Sequence, residues 1–460
     1  MVMRDSSDTI FAQATPPGRA AIAVIRISGP RALAAPALFG CTCPEAGTFH
    51  VARLVDGDGR RLDEAVILAM KGPRSSTGED VVEIHAHGSV AVTAAILQHL
   101  GEAEGFRPAG PGEFTHRMFA NGKIDLLGAE ALADLIDAET DRQRLQAWRQ
   151  RDGGLHRPVD SWRAALVQLA AQLEAVIDFA DEELPADIEE RIHTDTCALA
   201  DAIEAVLDDG GEGERVRSGV TVSLAGPVNA GKSTLLNGLA GRDVAIVSSQ
   251  AGTTRDIVSV RIDLDGIPVT LLDTAGLRDT DDLIEAEGVR RARTAAREAD
   301  AVLLVIDASA PSWQQELETL RDVAGPNSGV LLTKRDRLGA ESLAKVMAGM
   351  AALPDTACLV SLEDDDSKDA LERVLTLLRG LVVPVNRPET QSIITRERHR
   401  HALARAAAAL RAADRLDLVA APELAAEEYR RAADSLGRLT GQVDVEELLD
   451  SIFSSFCIGK

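Results

Sequence analysis

A strand, a glycine-rich loop and a helix follow one another between Val220 and Leu236, in the sequence VTVSLAGPVNAGKSTLL. The apolar, β-branched run ends at Gly226, and helix-forming residues begin at Lys232. The segment GPVNAGKS fits the pattern G-x-x-x-x-G-K-[ST], in which backbone N–H groups turn inward around phosphates. Because the positive end of the helix dipole lies at the same place, loop and helix together predict a nucleotide phosphate site.

The motifs that follow decide which nucleotide is bound. Lys232 is predicted to reach the β- and γ-phosphate oxygens and act in catalysis, and Ser233 to ligate Mg²⁺. The DTAG motif supplies Asp273, placed to hold Mg²⁺ through water, and Gly276, whose N–H can meet the γ-phosphate. The GTTRD motif supplies Thr254 as a second hydroxyl on Mg²⁺.

The TKRD motif at 333–336 is interpreted as the guanine reader. The carboxylate of Asp336 can accept from both N1–H and N2–H₂ of guanine, and adenine offers neither donor at those positions. The stem of Lys334 can lie along the purine face. Four loops in this order indicate a GTPase.

Composition and charge limit the partners, the location and the cysteine-based sites that the chain can have. The net charge of −24 argues against nucleic-acid binding over the whole surface, so any RNA contact must be local or shared. The start lacks the features of a signal peptide and the apolar runs are too short to span a bilayer, so we expect a cytoplasmic protein without membrane contact. Cys41 and Cys43 have no second Cys or His pair at zinc-finger spacing, and the sequence predicts neither a disulfide framework nor a structural zinc site.

The order of patterns along the chain predicts a multidomain α/β protein. Residues 1–123 mix strands and helices and are expected to form an α+β domain. Residues 124–215 and 384–460 show helical periodicity and form the two parts of an all-α domain, separated by a Ras-like P-loop GTPase domain at 216–383 with a doubly wound, mostly parallel sheet. The polar segment 208–219 is interpreted as a linker.

Charged residues in unusual or crowded positions allow two further predictions. Arg26 lies in the apolar strand AIAVIRI, where an unpaired charge is costly, so it should face a pocket or a carboxylate such as Glu83. A group of arginines in the helical region is interpreted as solvated surface: Arg142, Arg144, Arg149 and Arg151.

Nearly end to end, the chain resembles the tRNA-modification GTPase family called MnmE or TrmE. The motifs that carry the resemblance are DTIFAQATPPGRAAIAVIRISG, TGEDVVEIHAHG, PGEFTHRMFANGKIDLLGAEALADLIDA, GPVNAGKSTLLN, AGTTRDIV, DTAGLRD and the terminal FCIGK. The resemblance implies a homodimer that binds a tetrahydrofolate derivative, 5-formyl- or 5,10-methylene-tetrahydrofolate, in its N-terminal domains. With a flavin-dependent partner, MnmG/GidA, such a dimer uses this one-carbon donor to add a carboxymethylaminomethyl- or aminomethyl-type group to C5 of the wobble uridine of certain tRNAs.

Family roles follow at matching positions. Arg26, Glu83, Lys123 and Lys460 match folate-contacting residues, and Asn229, Ser248, Gln250 and Thr253 match a K⁺-binding set. Glu285 matches a residue that positions water, since Leu277 stands where Ras-like enzymes carry Gln, and Cys457 matches a residue of the functional tail. The implied GTP contacts run through five loops: Asn229, Ala230, Gly231, Lys232, Ser233, Thr234, Ser248, Ser249, Gln250, Ala251, Gly252, Thr253, Thr254, Asp273, Thr274, Ala275, Gly276, Thr333, Lys334, Asp336, Ser361 and Leu362.

Three positions depart from the family pattern. Thr333 stands where the guanine loop usually has Asn, and its shorter side chain lacks the amide, which bears on base affinity while Asp336 retains base identity. The second guanine loop reads Ser361-Leu362-Glu363, a milder change because its key donor is a backbone N–H. Ser248 stands where Thr is expected.

Two other functions stay open at this point. One is a ribosome- or RNA-binding GTPase switch without modification activity, although residues 384–460 contain no GXXG loop of the KH type. The other is a folate-dependent one-carbon transferase that GTP only regulates.

Overall fold

The structure is a computed structural model. It describes residues 8–460 apart from these positions: 179–186, 243, 247–258, 274–298, 325–326, 352, 354–355, 364–366, 383–391, 419, 442–448, 450–451, 454–455, 457 and 460. The chain divides into two compact units. One contains residues 1–136, 149–204 and 401–460, and the other contains residues 137–148 and 205–400.

The first unit begins with a six-stranded sheet in the order β3-β4-β5-β2-β1-β6. Its strands pair antiparallel, except for the parallel pair β1–β6. The strands are β1 (Thr9–Gln13), β2 (Ile22–Ser28), β3 (Phe49–Val55), β4 (Arg61–Met70), β5 (Val81–His87) and β6 (Phe106–Pro108), and the helices of this region are α1 (Ala35–Leu38), α2 (Val90–Glu102) and α3 (Glu113–Ala120).

The two faces of this sheet differ. One face packs on α2, with Ile25, Ile67 and Ile84 of the strands in one core with Ile96 and Leu100 of the helix. On the opposite face the register aligns Val51, Val66, His85 and Val24 in one row and Phe49, Leu68, Glu83 and Arg26 in the next. Phe49 and Val51 are 70% and 62% exposed. Within the described residues the second face is therefore exposed and apolar at Phe49 and Val51 and carries the charged pair of Arg26 and Glu83 further along.

The rest of the first unit is helical, which confirms the predicted pattern. Its helices are α4 (Leu126–Asp137), α5 (Asp141–Arg151), α6 (His156–Asp178), α7 (Ile188–Leu207), α13 (Glu397–Asp414) and α14 (Pro422–Thr440). Four of these helices, α4, α5, α7 and α13, also have residues in the second unit. Apolar residues recur along one face of α6, where Leu166, Leu169 and Leu173 are buried.

The second unit contains the predicted doubly wound sheet, in the order β12-β11-β10-β7-β9-β8. All neighbours are parallel except β8–β9, and separate apolar clusters form on the two faces. The strands are β7 (Val220–Ala225), β8 (Ser259–Leu264), β9 (Ile267–Asp273), β10 (Ala301–Asp307), β11 (Ser328–Thr333) and β12 (Ala357–Leu359), and the helices are α8 (Glu212–Ser218), α9 (Lys232–Ala240), α10 (Trp313–Ala324), α11 (Ala340–Met350) and α12 (Ser367–Val382).

The interpretation of 208–219 as a plain linker is wrong in part, because Glu212–Ser218 form α8. Val216 is 3% exposed, and the side-chain amide of Gln146 donates to the Gly213 carbonyl at 3.0 Å. Arg142, interpreted as solvated surface, forms an ion pair with Glu212 and is 30% exposed. The helix forms here because these tertiary contacts outweigh the low helix propensity of a polar, glycine-containing sequence.

A buried ionic network ties the start of the first unit to α3. Arg117 is 7% exposed on its side chain and donates to Glu79 at 2.9 Å and to the Asp8 carbonyl at 2.9 Å. Arg107 donates to both carboxylate oxygens of Glu113, at 2.9 and 2.6 Å. Burial acts to raise the pKa of Glu113, but the hydrogen bonds from Arg107 and the Gly110 N–H outweigh burial and hold that pKa below its ordinary 4.5.

This network predicts a pH-dependent loss of stability in the variant Glu113→Gln. Because the pKa of Glu113 is lower in the folded state, its contribution is present above about pH 4.5 and is lost as the pH falls through the folded-state pKa. At pH 7 the variant should lose about 1–3 kcal/mol of unfolding free energy, and the difference should shrink in acid. Denaturant unfolding at several pH values measures this, with exposed Glu45→Gln as the control. A loss that is equal at every pH would contradict the ionic role.

Candidate functional site

The phosphate loop lies at the C-terminal end of β7, the strand at which the sheet order reverses. A Cβ at Gly226 would lie 2.0 Å from the Val305 carbonyl oxygen, so only glycine permits this approach of the two backbones. Asn229 and Gly231 have φ values of +65° and +102°. These turns bring the loop around to the first residue of α9 in the shape that the sequence pattern predicts.

Lys232 is buried at the base of this loop. Its ammonium donates to the carbonyls of Gly226 and Pro227, both at 2.7 Å. Burial lowers the pKa of Lys232, while the charge of Asp273 acts in the opposite direction. The loop therefore holds the ammonium by two neutral acceptors, which anionic phosphate oxygens can replace.

Ser233 and Asp273 meet beside the loop, as predicted for the Mg²⁺ site. The Ser233 hydroxyl, in the first turn of α9, lies 3.5 Å from Oδ2 of Asp273, the last residue of β9. Asp273 is 4% exposed. A hydroxyl and a carboxylate at this distance are oxygen ligands of the kind that Mg²⁺ requires.

Thr333 joins the phosphate loop to the guanine loop. It is 1% exposed, and its hydroxyl donates to the Ala230 carbonyl at 2.6 Å, with the Ile306 carbonyl at 3.1 Å. A Cβ at Gly231, in the phosphate loop, would lie 3.5 Å from Cγ2 of Thr333. Thr333 thus keeps a direct bond between the two loops although it lacks an amide.

The predicted guanine-reading residues lie together at the end of β11. Ser361 donates its hydroxyl to Oδ1 of Asp336 at 2.9 Å, and the Asp336 side chain is 22% exposed. Lys334 has a φ of +57° and donates to Asp307 at 2.7 Å. Burial acts to raise the pKa of Asp307, but the bonds from Lys334 and Ser309 outweigh it and lower that pKa. These bonds fix the Asp336 carboxylate and the Lys334 ammonium, the two polar groups of the predicted base site.

A second candidate site is a cavity of about 220 Å³ in the first unit. Arg26 lines it, donates to Glu83 at 2.9 Å, and lies 5.8 Å from the centre of the Phe114 ring. The prediction that Arg26 pairs with Glu83 is confirmed. Ser76 also lines the cavity, and its buried hydroxyl has no hydrogen-bond partner among the described residues. The cavity combines a cation, an aromatic face and an unsatisfied hydroxyl, which suits a flat polar ligand.

Other predicted residues lie at the edge of this cavity or beyond the described part of the chain. The Lys123 ammonium donates to the Pro73 carbonyl at 2.8 Å and so adjoins the loop that carries Ser76, but Lys123 does not line the cavity. Sequence reasoning missed Ser76 and Phe114, although Ser76 directly precedes the TGEDVVEIHAHG motif and Phe114 lies within the PGEFTHRMFANG segment. The predicted residues outside the described part are Ser248, Ser249, Gln250, Ala251, Gly252, Thr253, Thr254, Thr274, Ala275, Gly276, Leu277, Glu285, Cys457 and Lys460.

Comparison with known proteins gives consistent matches along the chain. The family model of the MnmE helical domain matches residues 126–457, and that of the GTP-binding protein TrmE N-terminus matches residues 9–123. The tRNA modification GTPase MnmE of Parvibaculum lavamentivorans is 48% identical over 98% of this chain and 100% of its own length. That of Paramagnetospirillum magneticum is 47% identical over 99% of this chain and 100% of its own length. Among solved structures, Aquifex aeolicus Era bound to GDP.AlF4- aligns with 41% of this chain and 66% of its own at 26% identity, with a TM-score of 0.27.

The contact of Thr333 predicts opposite outcomes for two small substitutions. Thr333→Val keeps the shape but leaves the Ala230 carbonyl without this donor, so the unfolding free energy should fall by about 1–3 kcal/mol and GTP binding should weaken. Thr333→Ser keeps the hydroxyl and should bind GTP nearly as the wild type does. Titration calorimetry with GDP and a slowly hydrolysed GTP analogue compares the two. Equal affinity in Thr333→Val and wild type would show that the bond does not support the site.

Proposed function

Because this chain belongs to the MnmE family of tRNA modification GTPases, we propose that it is a K⁺-stimulated GTPase that works with a flavin-dependent partner of the MnmG/GidA type. Together they modify C5 of the wobble uridine of certain tRNAs with a tetrahydrofolate derivative as the one-carbon donor, adding a carboxymethylaminomethyl- or aminomethyl-type group. The observation that supports the proposal is that one chain holds a phosphate loop bonded to Thr333 of the predicted guanine loop, and an N-terminal cavity whose largely apolar lining includes Arg26 and Ser76.

In the nucleotide site, each described residue has a separate task. When the nucleotide binds, the Lys232 ammonium gives up its hydrogen bonds to the carbonyls of Gly226 and Pro227 and donates to phosphate oxygens instead. Its positive charge then lies beside the leaving group and stabilises the negative charge that develops there. Asp336, held by Ser361, selects guanine. Ser233 and Asp273 hold Mg²⁺, which neutralises charge on the β- and γ-phosphates when bound.

Among the described residues Asn229 would hold K⁺, and the bound ion would supply the charge that an arginine finger supplies in other GTPases. This residue is exposed at the turn of the phosphate loop, where a side-chain carbonyl oxygen can ligate a cation next to the phosphates. Ser248, Gln250 and Thr253 complete the proposed set. Glu285 orients the attacking water, since Leu277 lacks a group that could do so.

The cavity at Arg26 is the proposed tetrahydrofolate site. The guanidinium of Arg26 and the carboxylate of Glu83 offer donors and acceptors to a pterin edge, Phe114 offers a ring face, and the Ser76 hydroxyl has hydrogen-bonding capacity to spare. Lys123 and Lys460 contribute positive charge for a glutamate tail, and Cys457 acts in the modification chemistry. Absence of binding of 5-formyl-tetrahydrofolate to the full chain would contradict this assignment.

The open face of the N-terminal sheet is the proposed dimer interface. Phe49 and Val51 are exposed there, and the register places Phe49 in one row with Glu83 and Arg26. A second copy of the chain therefore covers apolar surface and borders the folate cavity in the same contact. Sedimentation of the full chain as a monomer at micromolar concentration would contradict this part.

The remaining partners follow from the reaction. The tRNA is bound through a local surface or one shared with the flavin-dependent partner, because the chain carries a net charge of −24. Among the described helices none combines the length and the apolarity needed to cross a membrane. We place the reaction in the cytoplasm, where tRNA and GTP are available.

The dependence on K⁺ gives a direct test of the proposed hydrolysis mechanism. GTP turnover of the wild type should be at least about tenfold faster in K⁺ than in Na⁺, a threshold well below the 10³–10⁵-fold that an arginine finger provides. Asn229→Ala should lose this difference and keep the slow rate in Na⁺. Asn237→Ala, on the exposed face of α9, is the matched control and should respond as the wild type does. Equal wild-type rates in the two salts would overturn the K⁺ assignment.

A further inference from the structure

A polar seam runs along one face of α7 in the first unit. His193 and Cys197 are four residues apart and so adjoin on this face, and both reach Asp414 at the end of α13. Oδ1 of Asp414 accepts from Nδ1 of His193 at 2.7 Å and from the thiol of Cys197 at 3.0 Å. One nitrogen, one sulfur and one oxygen atom thereby lie within 4.8 Å of one another.

These three side chains are unsuited to act as a thiol nucleophile with its base. The thiol donates to the carboxylate rather than to the imidazole, and the imidazole nitrogen also faces the carboxylate. The hydrogen bond to Asp414, together with burial, raises the pKa of the Cys197 thiol. A nucleophilic cysteine requires the opposite effect, an adjacent cation that favours the thiolate.

We propose that His193, Cys197 and Asp414 form a site for a divalent cation of the zinc type, with three protein ligands and a fourth position open to solvent. An imidazole, a thiolate and a carboxylate are the three ligand types that Zn²⁺ takes in proteins. Ligands at 2.0–2.3 Å from a tetrahedral metal lie about 3–4 Å apart, and the three donor atoms here lie within 4.8 Å of one another. On binding, the thiol proton would be released to solvent and the neutral imidazole would carry its proton on Nε2, which frees Nδ1 to ligate, and the cation would replace the hydrogen bonds to Asp414.

Neighbouring contacts hold the two helices in place for this site. The hydroxyl of Thr196 and the phenol of Tyr429 are 2.6 Å apart, which joins α7 to α14. Further along the seam, Arg411 of α13 pairs with Asp201 and with Glu204. The two ion pairs of Arg411 fix the separation of α7 and α13. They also neutralise the Arg411 guanidinium, so its positive charge repels a bound cation less.

The sequence did not predict this site, since the cysteine spacing indicated that a structural zinc site was absent. Cys197 lies 217 residues before Asp414, and residues 205–400 of the second unit lie between them in the chain. A bound cation would cross-link a helix that precedes this segment to one that follows it. Its expected effect is on the stability of the first unit, independent of GTP hydrolysis.

Cobalt titration of the full, nucleotide-free chain tests the proposal after chelator treatment and desalting. Co²⁺ should produce a near-ultraviolet sulfur-to-cobalt charge-transfer band, and Zn²⁺ should abolish the band by displacement. Cys197→Ser should lose the band, whereas Cys41→Ser, which removes another partly exposed thiol, should keep it. A Co²⁺ ion at the Mg²⁺ position gives no such band, because the proposed ligands there are oxygens.

Thermal unfolding in Zn²⁺ and in chelator gives a second readout. Zn²⁺ should raise the melting temperature of the wild type but not that of His193→Ala, whose exposed side chain can be removed without disturbing the fold. In chelator the two proteins should melt at the same temperature. The proposal is overturned if the wild type shows no sulfur band, if Cys197→Ser retains it, or if His193→Ala gains as much stability from Zn²⁺ as the wild type.

Discussion

The hydrogen bond from Thr333 to the Ala230 carbonyl is the contact on which the nucleotide site most depends. It joins the end of β11, which precedes the predicted guanine-reading loop, to the phosphate loop after β7. Since Thr333 is 1% exposed, water cannot replace the bond if it is lost. The proposed base and phosphate sites are therefore linked through one hydroxyl.

Sequence reasoning succeeded where one local pattern carries both structure and chemistry. The phosphate loop could be located because glycine spacing, the preceding strand and the following helix are contiguous, and the structure brings Lys232, Ser233 and Asp273 together as expected. The antiparallel strand β8 departs from the mostly parallel sheet, and its signal is local: Asp265 and Gly266, with φ of +54° and +85°, form the two-residue turn of a hairpin with β9.

Other features depend on contacts that no local pattern reveals. The helix α8 is short and polar with one internal glycine, and it is stabilised by contacts with Arg142 and Gln146. The role of Thr333 required the distance to Ala230, and the unsatisfied hydroxyl of Ser76 required the cavity. The seam of His193, Cys197 and Asp414 required the pairing of α7 with α13. In each case residues far apart in sequence meet through packing, which single-sequence periodicity does not describe.

In the proposed function two sites of one chain serve one reaction, with GTP hydrolysis at Lys232 and folate chemistry at Arg26. The most direct measurement is mass spectrometry of wobble uridines in tRNA from cells that lack this chain and are complemented with wild type, Lys232→Ala or Arg26→Ala at equal protein abundance. The modified uridine should disappear without the chain, return with the wild type, and stay absent or strongly reduced with either variant. An unchanged level of modified uridine in cells that lack the chain would contradict the proposed function.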